Sequence, residues 1–218
     1  MIVNPRIAEY IDSIAEESSA LLKEIRAYAG ENKVPVLKSN TEAFLRSLLR
    51  MKRPGRILEI GTAIGYSAIL MAEEAPKTGK ITTIENYKKR ILQAKANIKK
   101  AGLEERIELL EGDASEILRH LGEEGKSYDF IFLDAAKGQY IKWLPMILEL
   151  MREGSVLFSD NVLQEGDIIQ SRYAIERRDR CIHSRMREFL YKIMHEPHLK
   201  SSILPVGDGI ALSVYIGK

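Results

Sequence analysis

The chain has 218 residues, 45% hydrophobic and 29% charged, with a net charge of +2. That length buries a substantial core, and the composition excludes disordered, collagen-like and coiled-coil classes. No apolar run nears the roughly 20 residues that span a bilayer, and the single cysteine, Cys181, excludes a disulfide framework or a Cys-rich zinc site. The small net charge does not by itself announce nucleic-acid binding. The opening Met-Ile-Val-Asn-Pro-Arg lacks the apolar core of a leader, so a cytoplasmic protein is expected.

No repeat, low-complexity tract or flexible linker interrupts the chain, which predicts one domain over 1–218, a helical segment 1–52 followed by a core 53–218. Ile7, Tyr10, Ile11, Ile14, Leu21, Leu22 and Ile25 recur at helical spacing and predict one helix over 5–30, stopped at Gly30. Val34-Pro35-Val36 reads as extended, and a second helix is expected over 40–51. From residue 55 short apolar runs alternate with amphipathic helices. Strands are expected at 56–60, 80–85, 107–110, 128–133 and 155–159. Helices are expected at 65–71, 87–101, 115–122 and 139–151. A helix near 176–195 follows, then two β-rich stretches, 200–205 and 209–217, close enough to pair antiparallel at a sheet edge. The pattern predicts a Rossmann-like α/β fold, with a mostly parallel central sheet, an antiparallel C-terminal edge and N-terminal helices.

Open α/β sheets bind ligands outside the carboxyl ends of their strands, so the residues there are the candidates. After the first strand, Gly61 permits a tight turn and Gly65 starts a helix whose N-terminal N–H groups suit an anionic group. The Gly-x-x-x-Gly spacing differs from the dinucleotide fingerprint, and a plain glycine-rich turn reads equally well from this loop alone. Glu85, after the second strand, reads alone as a solvated strand end and, combined with the glycine loop, as a carboxylate that can accept ribose hydroxyls. Asp113-Ala114, after the third, suits an adenine edge or simply a helix cap. Asp134, Asp160 and Asn161 follow strands four and five. Three oxygen donors without sulfur or imidazole form a hard-cation pattern, and helix-capping hydrogen bonds are the alternative.

Together, Glu59-x-Gly61-x-x-x-Gly65-Tyr66-Ser67, Glu85, Gly112-Asp113-Ala114, Leu133-Asp134-x-x-Lys137 and Asp160-Asn161 resemble the metal-dependent class I O-methyltransferases. That family includes the catechol and caffeoyl-CoA enzymes, and the resemblance spans roughly residues 35–217. Val34-Pro35-Val36, the run Ile60–Ile69, Asp134–Tyr140 and Pro205–Gly209 are similar to the branch that methylates 5-hydroxyuridine in bacterial tRNA. The resemblance implies S-adenosylmethionine (SAM) contacts at the Leu37 backbone, Glu59, Gly61, Gly65, Ser67, Glu85, Asp113, Ala114 and Asp134. It implies Mg2+ at Asp134, Asp160 and Asn161, and Lys137 beside the reacting hydroxyl, as a proton acceptor or as a charge that steers the oxyanion. The catechol enzymes carry aromatic residues beside the metal aspartate, whereas Ala135 and Ala136 are small here, which permits a wider mouth.

The implied product in tRNA is 5-methoxyuridine at the wobble position. A small catechol-like or other vicinal-oxygen metabolite is the alternative acceptor. One feature separates the two: segment 172–192 carries seven Lys/Arg, among them Arg172, Arg177, Arg178, Arg180, Arg185 and Arg187, against three Asp/Glu. Such a run suits phosphate contacts or a solvated helix face. His183, His195 and His198 are expected at the surface, Trp143 in the core or a dimer surface, and a homodimer is expected. A nicotinamide dehydrogenase is disfavoured by the glycine spacing and a non-catalytic SAM-binding module by Lys137 beside the oxygen trio.

Overall fold

A computed structural model describes residues 3–217. Helices α1 (Pro5–Ile14), α2 (Ala20–Glu31) and α3 (Ser39–Lys52) precede a sheet of seven strands. The strands are β1 (Arg56–Ile60), β2 (Lys80–Glu85), β3 (Ile107–Glu111), β4 (Tyr128–Leu133), β5 (Met151–Ser159), β6 (Leu199–Leu204) and β7 (Ile210–Tyr215). Helices α4 (Tyr66–Glu74), α5 (Lys88–Lys100), α6 (Ala114–Glu123), α7 (Tyr140–Glu149) and α8 (Arg180–His195) link or follow them. The sheet order is β3-β2-β1-β4-β5-β7-β6. Strands β1 to β5 pair in parallel, and β7 runs antiparallel between β5 and β6. This is the Rossmann-like α/β fold expected, with its antiparallel C-terminal edge.

All six residues of β4 are buried, which is why its sequence is nearly all apolar rather than alternating. One face of the sheet packs on α6, α7 and α8 through residues such as Leu118, Leu144 and Phe189; the other packs on α2, α3 and α4 through Leu22, Leu45 and Ile69. Phe158 anchors the second layer, with Phe132 and Phe44 ring centroids at 5.4 and 6.0 Å. Truncating a buried aromatic of this kind costs about 3–5 kcal/mol.

Four expectations are corrected. The helix expected over 5–30 is two helices, because the polar run Glu16–Ser19 breaks it and Ser19 caps α2, its Oγ accepting from Leu22 N at 3.4 Å. The apolar face of α1 is exposed, with Tyr10 66% and Ile14 65% accessible. Strand β5 begins at Met151, four residues early, through an irregular pairing with Tyr128, and α8 begins at Arg180 rather than near 176, residues 177–179 forming a turn. His183 is buried on the inner face of α8, not at the surface. Among the described residues no helix is long and apolar enough to cross a membrane.

Strand order reverses between β1 and β4, so the chain leaves their carboxyl ends in opposite directions and opens a crevice there. Gly61 and Asp134 are the first residues past those two ends. A Cβ on Gly61 would lie 2.0 Å from the Asp134 carbonyl oxygen, and its φ is +106°. The glycine is therefore required by the packing of two strand ends, in addition to any ligand.

Candidate active site

The crevice is a cleft of about 790 Å3. Leu37, Gly61, Ser67, Glu85, Asp113 and Ala114 line its one part, and Asp134, Lys137, Asp160 and Asn161 line another. Two expected residues do not reach its wall. Gly65, at φ +85°, starts α4 behind the lining, with the Ala94 backbone beside it. Glu59 is wholly buried in β1 beneath the floor, where it accepts a hydrogen bond from Thr83 Oγ1. Burial pushes its carboxyl up to about 7, and the Asp134 and Glu85 carboxylates add to the shift.

Glu85 ends β2 and is held by three main-chain amides: Ala63 N at 2.8 Å on Oε2, and Asn86 N and Tyr87 N at 3.0 and 2.9 Å on Oε1. It thereby fastens the Gly61–Gly65 loop to the next strand while lining the cleft. Asp113 takes the capping role weighed for it, its Oδ1 accepting from Ser115 N at 2.8 Å, and lines the cleft as well.

Leu37 is set by a partly buried network. Arg26 Nη1 donates to the Leu37 carbonyl at 2.8 Å, and Nη2 reaches Glu42 Oε2 at 2.6 Å and Tyr66 OH at 2.7 Å. Tyr66 OH in turn donates to Glu42, and burial followed by that carboxylate pushes its pKa up to about 12. The carbonyl of Leu37 is thus already engaged from behind the cleft.

At the β4 and β5 ends, Lys137 Nζ donates to Asp134 Oδ1 at 2.7 Å, Asn161 Oδ1 at 2.9 Å and Tyr140 OH at 3.2 Å. Burial alone would lower the Lys137 pKa. The interactions with Tyr140 and with the Asp134 carboxylate outweigh it and hold the side chain above the ordinary lysine range. Tyr140 is itself wholly buried and donates to the Leu133 carbonyl at 3.1 Å, which makes it the prop beneath Lys137. Arg185 steadies the same turn by donating to the Gly138 carbonyl at 3.2 Å.

Among the described residues no three His, Cys, Asp or Glu side chains form a metal cluster; the oxygen set is two aspartates and one amide. It fits a hard cation on its own chemistry. Asp134 Oδ1 and Asn161 Oδ1 already converge on one cationic atom, the Lys137 ammonium. Asp160 is 3% exposed, and burial, with Asp134 next in weight, pushes its carboxyl up. A buried carboxylate beside another is short of positive charge.

Several lining residues had no role assigned from sequence. Trp143 donates to Ser115 Oγ at 3.1 Å and lines the cleft besides packing in the core. Lys38 and Asp208 close another side as an ion pair at 2.6 Å. A signal for Asp208 existed: β6 runs parallel to β5, so the β6–β7 turn reaches the same sheet edge as Asp160. The basic run is partly spent internally. Arg180 donates to the Ile175 carbonyl, Arg178 pairs with Glu176 and Asp179, and Lys192 pairs with Glu196. Arg172, Arg177 and Arg187 are exposed.

The model of the O-methyltransferase family matches residues 12–216. Caffeoyl-CoA O-methyltransferase 2 of Populus trichocarpa is 31% identical, over 92% of this chain and 83% of its own. A catechol O-methyltransferase of Niastella koreensis is 36% identical over 72% of each chain. Among solved structures, the O-methyltransferase from Bacillus cereus in complex with SAH superposes with a TM-score of 0.84 at 28% identity, covering 96% of this chain and 97% of its own. With nearly its whole length matched by that family and a crevice at the expected switch point, the chain belongs to the O-methyltransferase family.

Proposed function

We propose that the chain transfers a methyl group from SAM to one of two vicinal oxygens on an acceptor, with a divalent cation held by Asp134, Asp160 and Asn161, and that the acceptor is 5-hydroxyuridine in tRNA. The observation that carries the reaction class is one cleft joining the Gly61 loop and Glu85 to the oxygen set around Lys137. The SAH complex of the Bacillus cereus neighbour supports SAM as donor. SAM supplies a methyl on a sulfonium, and a bound divalent cation lowers the pKa of an acceptor hydroxyl.

The chain's own residues do the alignment on which an in-line displacement depends. Glu85, with Oε1 taken by two amides and Oε2 by one, keeps an accepting site on Oε2 for a ribose hydroxyl. The first turn of α4, at Tyr66 and Ser67, offers main-chain N–H groups to the carboxylate of the donor. Lys137, in contact with Asp134 and Asn161, stands beside the attacking oxygen, to take its proton or to steer its charge. In 5-hydroxyuridine the 5-hydroxyl and 4-carbonyl are the vicinal pair, and the exposed Arg172, Arg177 and Arg187 are available to backbone phosphates.

A small catechol-like acceptor is the second reading. It is favoured by the names of the caffeoyl-CoA and catechol relatives and by the internal partners of Arg178 and Arg180. The test is methylation of 5-hydroxyuridine tRNA and of free catechol at two salt concentrations, by the parent and by Arg172→Glu/Arg177→Glu. On the tRNA reading, the variant raises the Michaelis constant for tRNA alone and parent tRNA binding falls steeply with salt. Turnover of catechol with none of tRNA establishes the second reading. Full turnover of either acceptor in excess EDTA, or by Asp160→Ala, refutes the cation.

A further inference from the structure

The turn between β6 and β7 is built with unusual constraint for a surface hairpin. Gly207 and Gly209 flank Asp208 with φ of +61° and +89°. A Cβ on Gly207 would lie 2.1 Å from Thr41 Oγ1, and one on Gly209 would lie 2.3 Å from Leu163 Cγ. The turn is therefore wedged between α3 and the segment that follows β5. It is also bonded to that segment through the main chain: Val162 N donates to the Gly209 carbonyl and Leu163 N to the Asp208 carbonyl, both at 2.9 Å.

The wedge aims one side chain. Asp208 Oδ2 accepts from Asn161 Nδ2 at 3.2 Å, and Oδ1 accepts from Lys38 Nζ at 2.6 Å. Asn161 itself sits in the left-handed region, φ +55°, with its Oδ1 facing the Lys137 ammonium. An amide has one accepting and one donating end, so turning it over would set its N–H groups against a cation and its oxygen against a carboxylate. With Asp208 in place, only one orientation satisfies both neighbours.

We infer that Asp208 is a positioning residue that fixes the Asn161 amide with Oδ1 toward the cation. The inference rests on the cation reading of Asp134, Asp160 and Asn161. Asp208 touches neither acceptor nor donor in this scheme; it acts through Asn161, and Lys38 holds it from the other side. Partners of metal ligands are worth about 10–100-fold in metal affinity elsewhere.

The experiment titrates Mn2+ into the SAM-loaded full chain by electron paramagnetic resonance, with SAM affinity measured separately by calorimetry. Asp208→Ala should loosen Mn2+ about 10–100-fold and leave SAM affinity within about 3-fold. On an Asn161→Ala background the same change should add less than about 2-fold, because the residue it acts through is gone. Losses that multiply, or an Asp208→Ala protein that binds Mn2+ like the parent, overturn the inference. Should Asp208→Ala fail to fold, Asp208→Asn carries the test. It keeps an acceptor for Nδ2 and discards the charge, so affinity within about 3-fold of the parent is expected, and a loss of about 10-fold or more shows that charge alone is responsible. A parent that binds no Mn2+ overturns the cation reading itself, and the inference with it.

Discussion

Replacing Glu59 with Gln should make the protein more stable at pH 8 and leave it nearly unchanged at pH 5. The carboxyl is wholly buried in β1, its pKa about 7 against an ordinary 4.5, chiefly because burial penalises the charge. A folded-state pKa raised above the unfolded one means the folded chain binds the proton more tightly. Stability is therefore complete below about pH 4.5 and is lost as pH rises through about 7. The gap corresponds to about 3 kcal/mol, of which about 2–3 kcal/mol disappears between pH 5 and pH 8. Glutamine keeps an oxygen for the Thr83 hydroxyl and carries no charge, so it does not incur that loss. Urea unfolding of both proteins at pH 5, 6, 7 and 8 measures the difference directly. Groups remote from Glu59 titrate alike in both proteins and cancel. A difference that stays constant over that range, or that favours the parent as pH rises, would refute the argument that Glu59 carries a buried charge.

Glu85→Ala should weaken SAM binding by about 2–3 kcal/mol, because charge-assisted hydrogen bonds to the ribose are lost along with the fastening of the Ala63 amide. Unchanged affinity by calorimetry removes Glu85 from the donor site. Gly61→Ala should destabilise by about 2–6 kcal/mol, combining a left-handed φ with a methyl placed against the Asp134 carbonyl. That predicts a melting temperature lower by several degrees, at about 2–4 °C per kcal/mol for a chain of this size. A melting temperature within about 2 °C of the parent would show that the two strand ends separate freely.

The architecture and much of the crevice were legible in the sequence. Alternating apolar runs and amphipathic helices specify a parallel sheet, and in such sheets ligands lie past the strand ends. Gly61, Glu85, Asp113, Asp134 and Asp160 could therefore be picked out from position along the chain alone. So could the antiparallel edge, since two short β stretches joined by a few residues have little choice but to pair.

What tertiary structure alone decided concerns groups whose environment is made by distant residues. Glu59 enters the sequence reading only through the resemblance, as a SAM contact; its burial beneath the cleft arises because helices cover both faces of the sheet. His183 reads as surface, since which face of α8 turns inward depends on what packs there. The state of Lys137 follows from Asp134 and Tyr140 only once the 3-10 turn Lys137–Gln139 folds Nζ back between them. Asp208 meets Asn161 across 47 residues and Lys38 across 170. No local pattern encodes contacts at such separations. They exist because β7 inserts between β5 and β6 and brings the β6–β7 turn to the edge where the α2–α3 loop lies, while the glycines beside Asp208 let it fit.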